Sequence, residues 1–271
     1  PPVLAIRLRQ QYGDGAIRVV EKNPYLLSDD VCGVDFSVTD TMALSMGFAE
    51  DCTERLEAAL TFELTYNENN GHVFLPREKL IWAAEQLIGL PTEPVEICLD
   101  IMVSGGAVCQ EQVANVLACY LPELYAAECF VTEKLLKMLQ FPYDRHGQVD
   151  KIIREMEMTQ GIRYAPLQKE AVLLAAQSGV LLLTGGPGTG KTTATRAIVR
   201  LFEIMGLDIL LLAPTGRAAK RMSELCGREA QTIHRALGMS FNDLTGQVTY
   251  KKGVNDPLEA DAVLVDEMSM V

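Results

Sequence analysis

A glycine-rich run at 185–192, Gly-Gly-Pro-Gly-Thr-Gly-Lys-Thr, has the residue types and spacing that hold phosphate groups. Its glycines let backbone N–H groups turn inward toward an anion, and the helix predicted to follow adds the positive end of its dipole. Lys191 can reach the β- and γ-phosphates of a nucleotide, and the hydroxyl of Thr192 can bind Mg²⁺. The apolar run 180–183 before it predicts the strand that this motif requires.

A pair of carboxylates, Asp266 and Glu267, follows another short apolar run at 262–265. The carboxyl ends of parallel strands meet at one edge of a sheet, so we expect this pair to lie near the glycine-rich loop. Asp266 is then placed to bind Mg²⁺, and Glu267 to orient or deprotonate an attacking water. An acidic pair alone is more often a solvated strand end, and only the loop upstream favours the catalytic interpretation.

A third candidate site begins at the turn Pro214-Thr215-Gly216, where the strand predicted at 208–213 ends. The turn opens a predicted helix whose N-terminus attracts anions, and Arg217, Lys220 and Arg221 add positive charge on one helical side. A phosphate-like ligand beside a nucleotide suggests a nucleic-acid backbone. A solvated basic helix face is the plainer alternative.

Composition and charge limit the classes of protein. With 271 residues the chain is long enough for two or more domains, and no apolar run is long enough to span a membrane. The net charge of −12 lies in residues 1–179, with 14 basic and 26 acidic residues, whereas 180–271 are neutral. An acidic surface opposes non-specific binding of nucleic acid. We therefore expect DNA contact only at local basic patches, or a protein partner on the acidic N-terminal part.

The seven cysteines are scattered, without a C-x-x-C pair. The spacing of Cys109, Cys119 and Cys129 is not that of zinc ligands. Free thiols in a reducing compartment are the favoured interpretation, and we expect a cytoplasmic protein.

Residues 1–50 are predicted to be helical, in two similar units separated by Asn23-Pro24-Tyr25. This spacing resembles tandem helix-hairpin-helix motifs, in which a glycine-bearing hairpin offers backbone N–H groups to a DNA phosphate. Asp35 stands where the second hairpin would have its second glycine, and the first hairpin is expected to lie before Pro1. A structural role and contact with the DNA backbone both stay open.

Residues 51–121 are predicted to form a small domain in the order helix, strand, helix, helix, hairpin, which is the order of a winged-helix domain. Its third helix is expected at 95–103, after the breaks at Pro91 and Pro94. Glu96 and Asp100 on that helix favour packing or protein contact over DNA reading. Connecting helices are expected at 122–160, the first of them long and amphipathic.

From residue 161 apolar strands alternate with helices, a pattern typical of a parallel α/β sheet. Strands are predicted at 180–184, 208–213 and 262–265, and helices at 167–177, 191–205, 216–225 and 232–237. Thr232 is expected to cap the last helix, and 241–255 to be a polar loop or hairpin.

Five motifs occur in order in this part of the chain: Tyr164-Ala165-Pro166-Leu167-Gln168, the glycine-rich loop, 210–222, 231–237 and 265–270. Together they resemble the first RecA-like motor domain of RecD-like superfamily 1 DNA helicases. The helix-hairpin-helix pattern and the segment 120–125 resemble the N-terminal region of the long form of that family. The resemblance therefore covers essentially the whole chain.

The resemblance implies roles for individual residues. Gln168 would recognise the adenine of ATP, Asp266 with Thr192 would hold Mg²⁺, and Glu267 would serve the attacking water. The residues implied in nucleotide binding besides Gln168 are Gly186, Pro187, Gly188, Thr189, Gly190, Lys191, Thr192 and Thr193. The residues implied in contact with single-stranded DNA are Pro214, Thr215, Gly216, Arg217, Thr232 and His234. His234 is equally well explained as a buried polar residue.

The resemblance implies an ATP-dependent helicase that uses Mg²⁺ and moves 5′ to 3′ along single-stranded DNA. The family's later motifs, including an arginine finger, lie beyond residue 271, so the chain is expected to be an N-terminal part that is inactive alone. The alternative is a nucleic-acid- or protein-docking module whose nucleotide site is a switch without turnover. A small-molecule kinase is disfavoured because no substrate lid is visible.

Overall fold

The computed structural model describes residues 2–29, 32–140, 148–186, 188–242 and 248–271. The chain divides into two compact units, Pro1–Thr132 and Glu133–Val271. The described residues are mostly helical, with a small antiparallel sheet in the first unit and a small parallel sheet in the second. None of their helices is apolar over a length that would cross a bilayer.

The first unit contains two groups of helices followed by a hairpin. In chain order its elements are α1 (Pro2–Tyr12), α2 (Ala16–Lys22), α3 (Phe36–Ser45), α4 (Thr53–Asn69), β1 (Leu75–Pro76), α5 (Arg77–Ile88), α6 (Thr92–Ser104), β2 (Cys109–Val113), β3 (Val116–Tyr120) and α7 (Pro122–Gln140), which continues into the second unit.

The first two N-terminal helices are joined by a short turn that contains two glycines. A 3₁₀ turn, Gly13–Gly15, joins α1 to α2, and Gly13 has φ +62°, a left-handed conformation that glycine adopts without steric cost. The expectation that the first hairpin lies before Pro1 stays a prediction. Because a glycine can reverse the chain within a single residue, the turn fits between two short helices.

Asp35, in the second of the two similar N-terminal helical segments, has a structural role. Its carboxylate caps α3 by accepting a hydrogen bond from the backbone N–H of Ser37 at 2.8 Å. Hydrogen bonds from the side chain and backbone of Ser37 also hold the pKa of Asp35 below its usual range. An acidic residue at this position therefore begins a helix.

One hydrophobic core runs through the first unit and joins the N-terminal helices to those that follow. Its buried members include Tyr25, Phe36, Ala43, Leu56, Leu60, Leu64, Leu80, Val95, Leu99 and Cys119. Beside it lies an ion pair in which the guanidinium of Arg55 donates to both oxygens of Asp40, at 2.7 and 2.9 Å. Tyr25 donates to the same carboxylate at 2.7 Å, so the pair links α3, α4 and the segment before α3.

The middle of the first unit has the predicted order of elements. The strands pair antiparallel in the order β1-β3-β2, with Cys109 opposite Tyr120. α6 begins at Thr92, earlier than the predicted residue 95, and so contains Pro94. Proline is tolerated there because the N–H groups of a first helical turn have no intrahelical partner.

The second unit places its helices around the parallel sheet. In chain order its elements are α8 (Val149–Gln160), α9 (Pro166–Gln177), α10 (Lys191–Ile204), β4 (Ile209–Ala213), α11 (Gly216–Cys226), β5 (Ala230–Thr232), α12 (Ile233–Ala236), β6 (Ser240–Phe241), β7 (Val248–Thr249) and β8 (Ala262–Val265). β6 and β7 form a short antiparallel ribbon within the expected loop or hairpin.

The strand predicted at 180–184 is absent from the parallel sheet. The sheet order is β5-β4-β8, and the segment 180–184 is not in a strand. Leu182 within it is 83% exposed. A strand needs a neighbour for its backbone hydrogen bonds, and the segment 180–184 pairs with none of the three strands of this sheet. An apolar run alone could not supply that neighbour, so this prediction is wrong.

Candidate nucleotide and nucleic-acid site

The register of the parallel sheet brings three predicted positions to one edge. Ala213 at the end of β4 pairs with Thr232 at the end of β5, and Leu212 pairs with Val265 at the end of β8. The backbone N–H of Asp266 donates to the carbonyl of Leu212 at 3.0 Å, which extends the pairing by one residue. The turn after β4, the start of α12 and the acidic pair therefore lie side by side.

Two threonines at this edge cap helices. Thr215 Oγ1 accepts a hydrogen bond from the N–H of Ala218 at 3.2 Å, and Thr232 Oγ1 accepts one from the N–H of Arg235 at 3.2 Å. Each hydroxyl satisfies an N–H that has no intrahelical partner. The sequence correctly identified Thr232 as a cap, whereas the cap at Thr215 was taken only as a DNA contact.

Several exposed cations lie at the start of α10 and along α11. Lys191, Arg217, Lys220 and Arg221 are exposed, and within the described part of the chain their side chains form no hydrogen bond or ion pair. His234 is also exposed, so its interpretation as a buried polar residue is wrong. These groups remain free to meet an anion.

The glycine-rich loop forms a tight turn before α10. Gly188 and Gly190 have φ +76° and +87°, in the left-handed region that favours glycine. The hydroxyl of Thr189 donates to the carbonyl of Gly186 at 2.8 Å. A Cβ on Gly185 would lie 2.6 Å from that hydroxyl oxygen, so a larger residue there would displace the side chain of Thr189. Pro187, a predicted nucleotide contact, lies outside the described residues.

Gln168 connects the start of α9 to this loop. Its side-chain oxygen accepts a hydrogen bond from the N–H of Ala165 at 2.9 Å, and its Nε2 donates to the carbonyl of Gly190 at 3.3 Å. A Cβ on Gly190 would lie 2.2 Å from Nε2. The position of Gln168 three residues into a helix is a capping signal in the sequence, but its contact with Gly190 depends on the fold and was missed.

The acidic pair has an unusual backbone conformation. Glu267 has φ +54°, which is uncommon for a residue with a side chain, and its N–H donates to Asp266 Oδ1 at 3.0 Å. Asp266 is half-buried and Glu267 is exposed. Such strain concentrates at functional sites, which agrees with a chemical role for this pair.

The structure does not join the loop to the acidic pair by direct bonds. Within the described ranges, Lys191 and Thr192 form no hydrogen bond or ion pair with Asp266 or Glu267. These ranges also hold no group of three or more His, Cys, Asp or Glu residues that could bind a metal. A Mg²⁺ ion at Thr192 and Asp266 would therefore draw its other oxygen ligands from water and phosphate, as Mg²⁺ commonly does.

The loop residues fit a polyphosphate. Glycines line a turn that a Cβ at Gly185 or Gly190 would fill, and Lys191 has no competing anion among the described residues. The predicted contacts Thr192 and Thr193 are exposed at the start of α10. All seven cysteines are free thiols, as expected.

Two sequence models of known families match the chain. A model described as an ATP-dependent RecD2 DNA helicase HHH domain matches residues 1–74, and a model described as an AAA domain matches residues 168–271. The first match contains the turn Gly13–Gly15 and the helix that Asp35 caps. The second begins at Gln168 and includes the loop, the caps and the acidic pair.

The chain is also similar in sequence to two bacterial proteins, one over nearly its whole length and one over about half of it. It is 30% identical to an ATP-dependent RecD2 DNA helicase of Deinococcus radiodurans, over 98% of this chain and 38% of that protein. It is 34% identical to the RecBCD enzyme subunit RecD of Haemophilus influenzae, over 52% of this chain and 24% of that protein. The chain thus spans well under half the length of these relatives.

Proposed function

Since this chain belongs to the RecD-like family and has the helix-hairpin-helix region of its RecD2 members, we propose that the protein is an ATP-dependent DNA helicase. The observation that carries the proposal is the edge of the parallel sheet, where Asp266 and the capped start of α11 lie side by side in the unit that contains the phosphate loop. A motor needs a nucleotide site and a DNA contact in one rigid body.

Each candidate residue has a separate role in the proposed hydrolysis of ATP. Lys191 would neutralise phosphate charge, and the hydroxyl of Thr192 and the carboxylate of Asp266 would hold Mg²⁺. Glu267 accepts the proton of the attacking water. Gln168 faces the adenine. Mg²⁺ and ATP, when bound, supply a polarised phosphoanhydride bond.

The DNA contact uses the edge beside this site. Backbone N–H groups at the start of α11 and the guanidinium of Arg217 bind phosphates of single-stranded DNA. Pro214, Thr215 and Gly216 shape that turn, and Thr232 and His234 extend the contact along α12. The proposed direction of movement, from 5′ to 3′, rests on the family resemblance.

The proposed domains follow the same assignment. Residues 1–50 are tandem helix-hairpin-helix motifs able to touch a DNA backbone, and 51–121 are a winged-helix-like domain. Residues 122–160 connect them to a RecA-like motor domain at 161–271. Free thiols support a cytoplasmic location, and the acidic N-terminal part supports a protein partner there.

The test is the ATPase rate of the full-length protein with and without single-stranded DNA. We expect DNA to raise the rate and Lys191→Ala to reduce it by at least about a hundredfold, since phosphate-charge stabilisation of this kind is worth several kcal/mol. Arg200→Ala, which removes an exposed cation paired with Glu203, is the matched control and should change little.

Two outcomes would contradict the proposal. An ATPase rate that single-stranded DNA leaves unchanged would exclude a DNA motor. Stoichiometric binding of ATP without phosphate release, with or without DNA, would instead favour the nucleotide switch.

A further inference from the structure

The helix α6 presents one continuous exposed face in the first unit. Its other face packs into the core through Val95, Cys98, Leu99 and Met102. The exposed side chains recur every three or four residues and so share one side of the helix. They are Glu93, Glu96, Ile97, Asp100, Ile101 and Ser104, which we call the α6 stripe.

The centre of the α6 stripe is apolar. Ile97 and Ile101, one helical turn apart, are 54% and 57% exposed. With Asp100, Ser104 and Gly105 they line a shallow depression of about 500 Å³. Two adjacent isoleucines in an open depression provide the apolar centre that a docking surface requires.

The rim of the stripe is acidic and held in place. Arg77, which is largely buried, contacts Asp100 at 2.8 Å and Glu96 at 3.3 Å, and so fixes both carboxylates beside the isoleucines. One guanidinium cannot neutralise two carboxylates, and Glu93 adds a third. No basic side chain belongs to the stripe.

The surrounding sequence strengthens this negative charge. Residues 51–132 contain 13 acidic but only three basic residues, which are Arg55, Arg77 and Lys79. Arg55 is paired with Asp40 and Arg77 with the rim of the stripe. A ligand that approaches α6 therefore meets a negative potential, which attracts cations and repels phosphates.

We propose that the α6 stripe is a docking site for an amphipathic helix of a partner protein, with aliphatic residues along one face and lysines or arginines beside them. The aliphatic residues of the partner cover Ile97 and Ile101, and its cations meet Glu93, Glu96 and Asp100. The same carboxylates exclude DNA from α6. They also disfavour a second copy of this chain, because a two-fold contact would place like charges opposite each other.

The test uses the 271-residue chain and a synthetic helical peptide of about four turns, long enough to form a helix when docked. The peptide has leucines on one face and lysines beside them, and a matched peptide has glutamates in place of the lysines. We expect saturable binding of the lysine peptide that weakens as salt is added, and no binding of the glutamate peptide. Titration calorimetry measures both.

Variants locate the binding site. Ile97→Ala with Ile101→Ala should weaken binding about tenfold or more, because central apolar contacts dominate such interfaces. Val38→Ala, at a comparably exposed apolar residue on α3, is the control and should leave binding unchanged. Circular dichroism shows that each variant is folded.

Three results would overturn the proposal. The first is equal binding of the lysine peptide by the wild type and the double variant. The second is self-association of the chain that the double variant abolishes, which would make a second copy the occupant. The third is binding of duplex DNA that Glu96→Ala weakens, which would make α6 a DNA reader. None of these results depends on the ATPase activity. Failure of the docking proposal would therefore leave the proposed helicase function unaffected, and the reverse also holds.

Discussion

The side chain of Gln168 connects the start of α9 to the glycine-rich loop. Its amide caps α9 and donates to the carbonyl of Gly190. Gly190 is the left-handed residue at which the loop turns into α10. A hydrogen bond to its carbonyl therefore supports the loop conformation, whatever Gln168 contributes to recognition of adenine.

We predict that Gln168→Ala weakens binding of inorganic tripolyphosphate as well as ATP, each by about threefold to tenfold, which is the usual value of one hydrogen bond. Tripolyphosphate has no base, so its affinity reports on the loop alone. Glu170→Ala, an exposed change on the same helix, is the control. If ATP binding weakens while tripolyphosphate binding does not, Gln168 acts on the base only.

At the scale of elements, the ion pair between Arg55 and Asp40 holds the N-terminal helices against α4. The side chain of Arg55 is 7% exposed, and both of its partner's oxygens are bound. Burial tends to raise the pKa of Asp40, but hydrogen bonds from Arg55 and Tyr25 outweigh it, so the pKa lies below its usual value.

We predict that Asp40→Asn lowers the free energy of unfolding by about 3 kcal/mol near neutral pH, since it leaves a buried guanidinium without its counter-charge. Urea denaturation measures the change. Asp14→Asn, which removes an exposed pair with Arg9, is the control and should have little effect.

The ion pair of Arg55 with Asp40 also makes the free energy of unfolding depend on pH. A carboxylate whose pKa is lowered by folding stabilises the folded state above its unfolded pKa of about 3.9. That stability is lost as the pH falls through the lower, folded pKa. The difference between wild type and Asp40→Asn should therefore shrink below about pH 4, and a difference independent of pH would refute this account.

At the scale of the whole molecule, the two units differ in charge. Residues 1–132 contain 20 acidic and seven basic residues, whereas residues 133–271 contain 16 acidic and 17 basic. Binding of single-stranded DNA should therefore depend on the second unit, where Arg217 is exposed and without an ion pair among the described residues.

We predict that Arg217→Ala weakens binding of single-stranded DNA by the chain and reduces the dependence of log affinity on log salt concentration by about 0.7, the share of one phosphate contact. Fluorescence anisotropy at several salt concentrations measures both. Arg200→Ala should leave the slope unchanged. An unaltered slope for Arg217→Ala would show that this residue touches no phosphate.

The sequence by itself determined the features that depend on near neighbours in the chain. Glycine spacing indicated the loop at 185–192, and helical periodicity with capping residues such as Thr232 gave the helices to within a few residues. The same motifs identified the family. These signals are readable because helix hydrogen bonds, caps and left-handed turns are all made within about four residues.

Only the tertiary structure decided which distant residues meet. The apolar run 180–184 had the composition of a strand but pairs with no strand of the parallel sheet, and such pairing depends on other segments of the chain. The contact of Gln168 with Gly190 and the ion pair of Arg55 with Asp40 likewise join residues on different elements of the chain. Their free energy comes from packing and partner geometry, which no local pattern of residues contains.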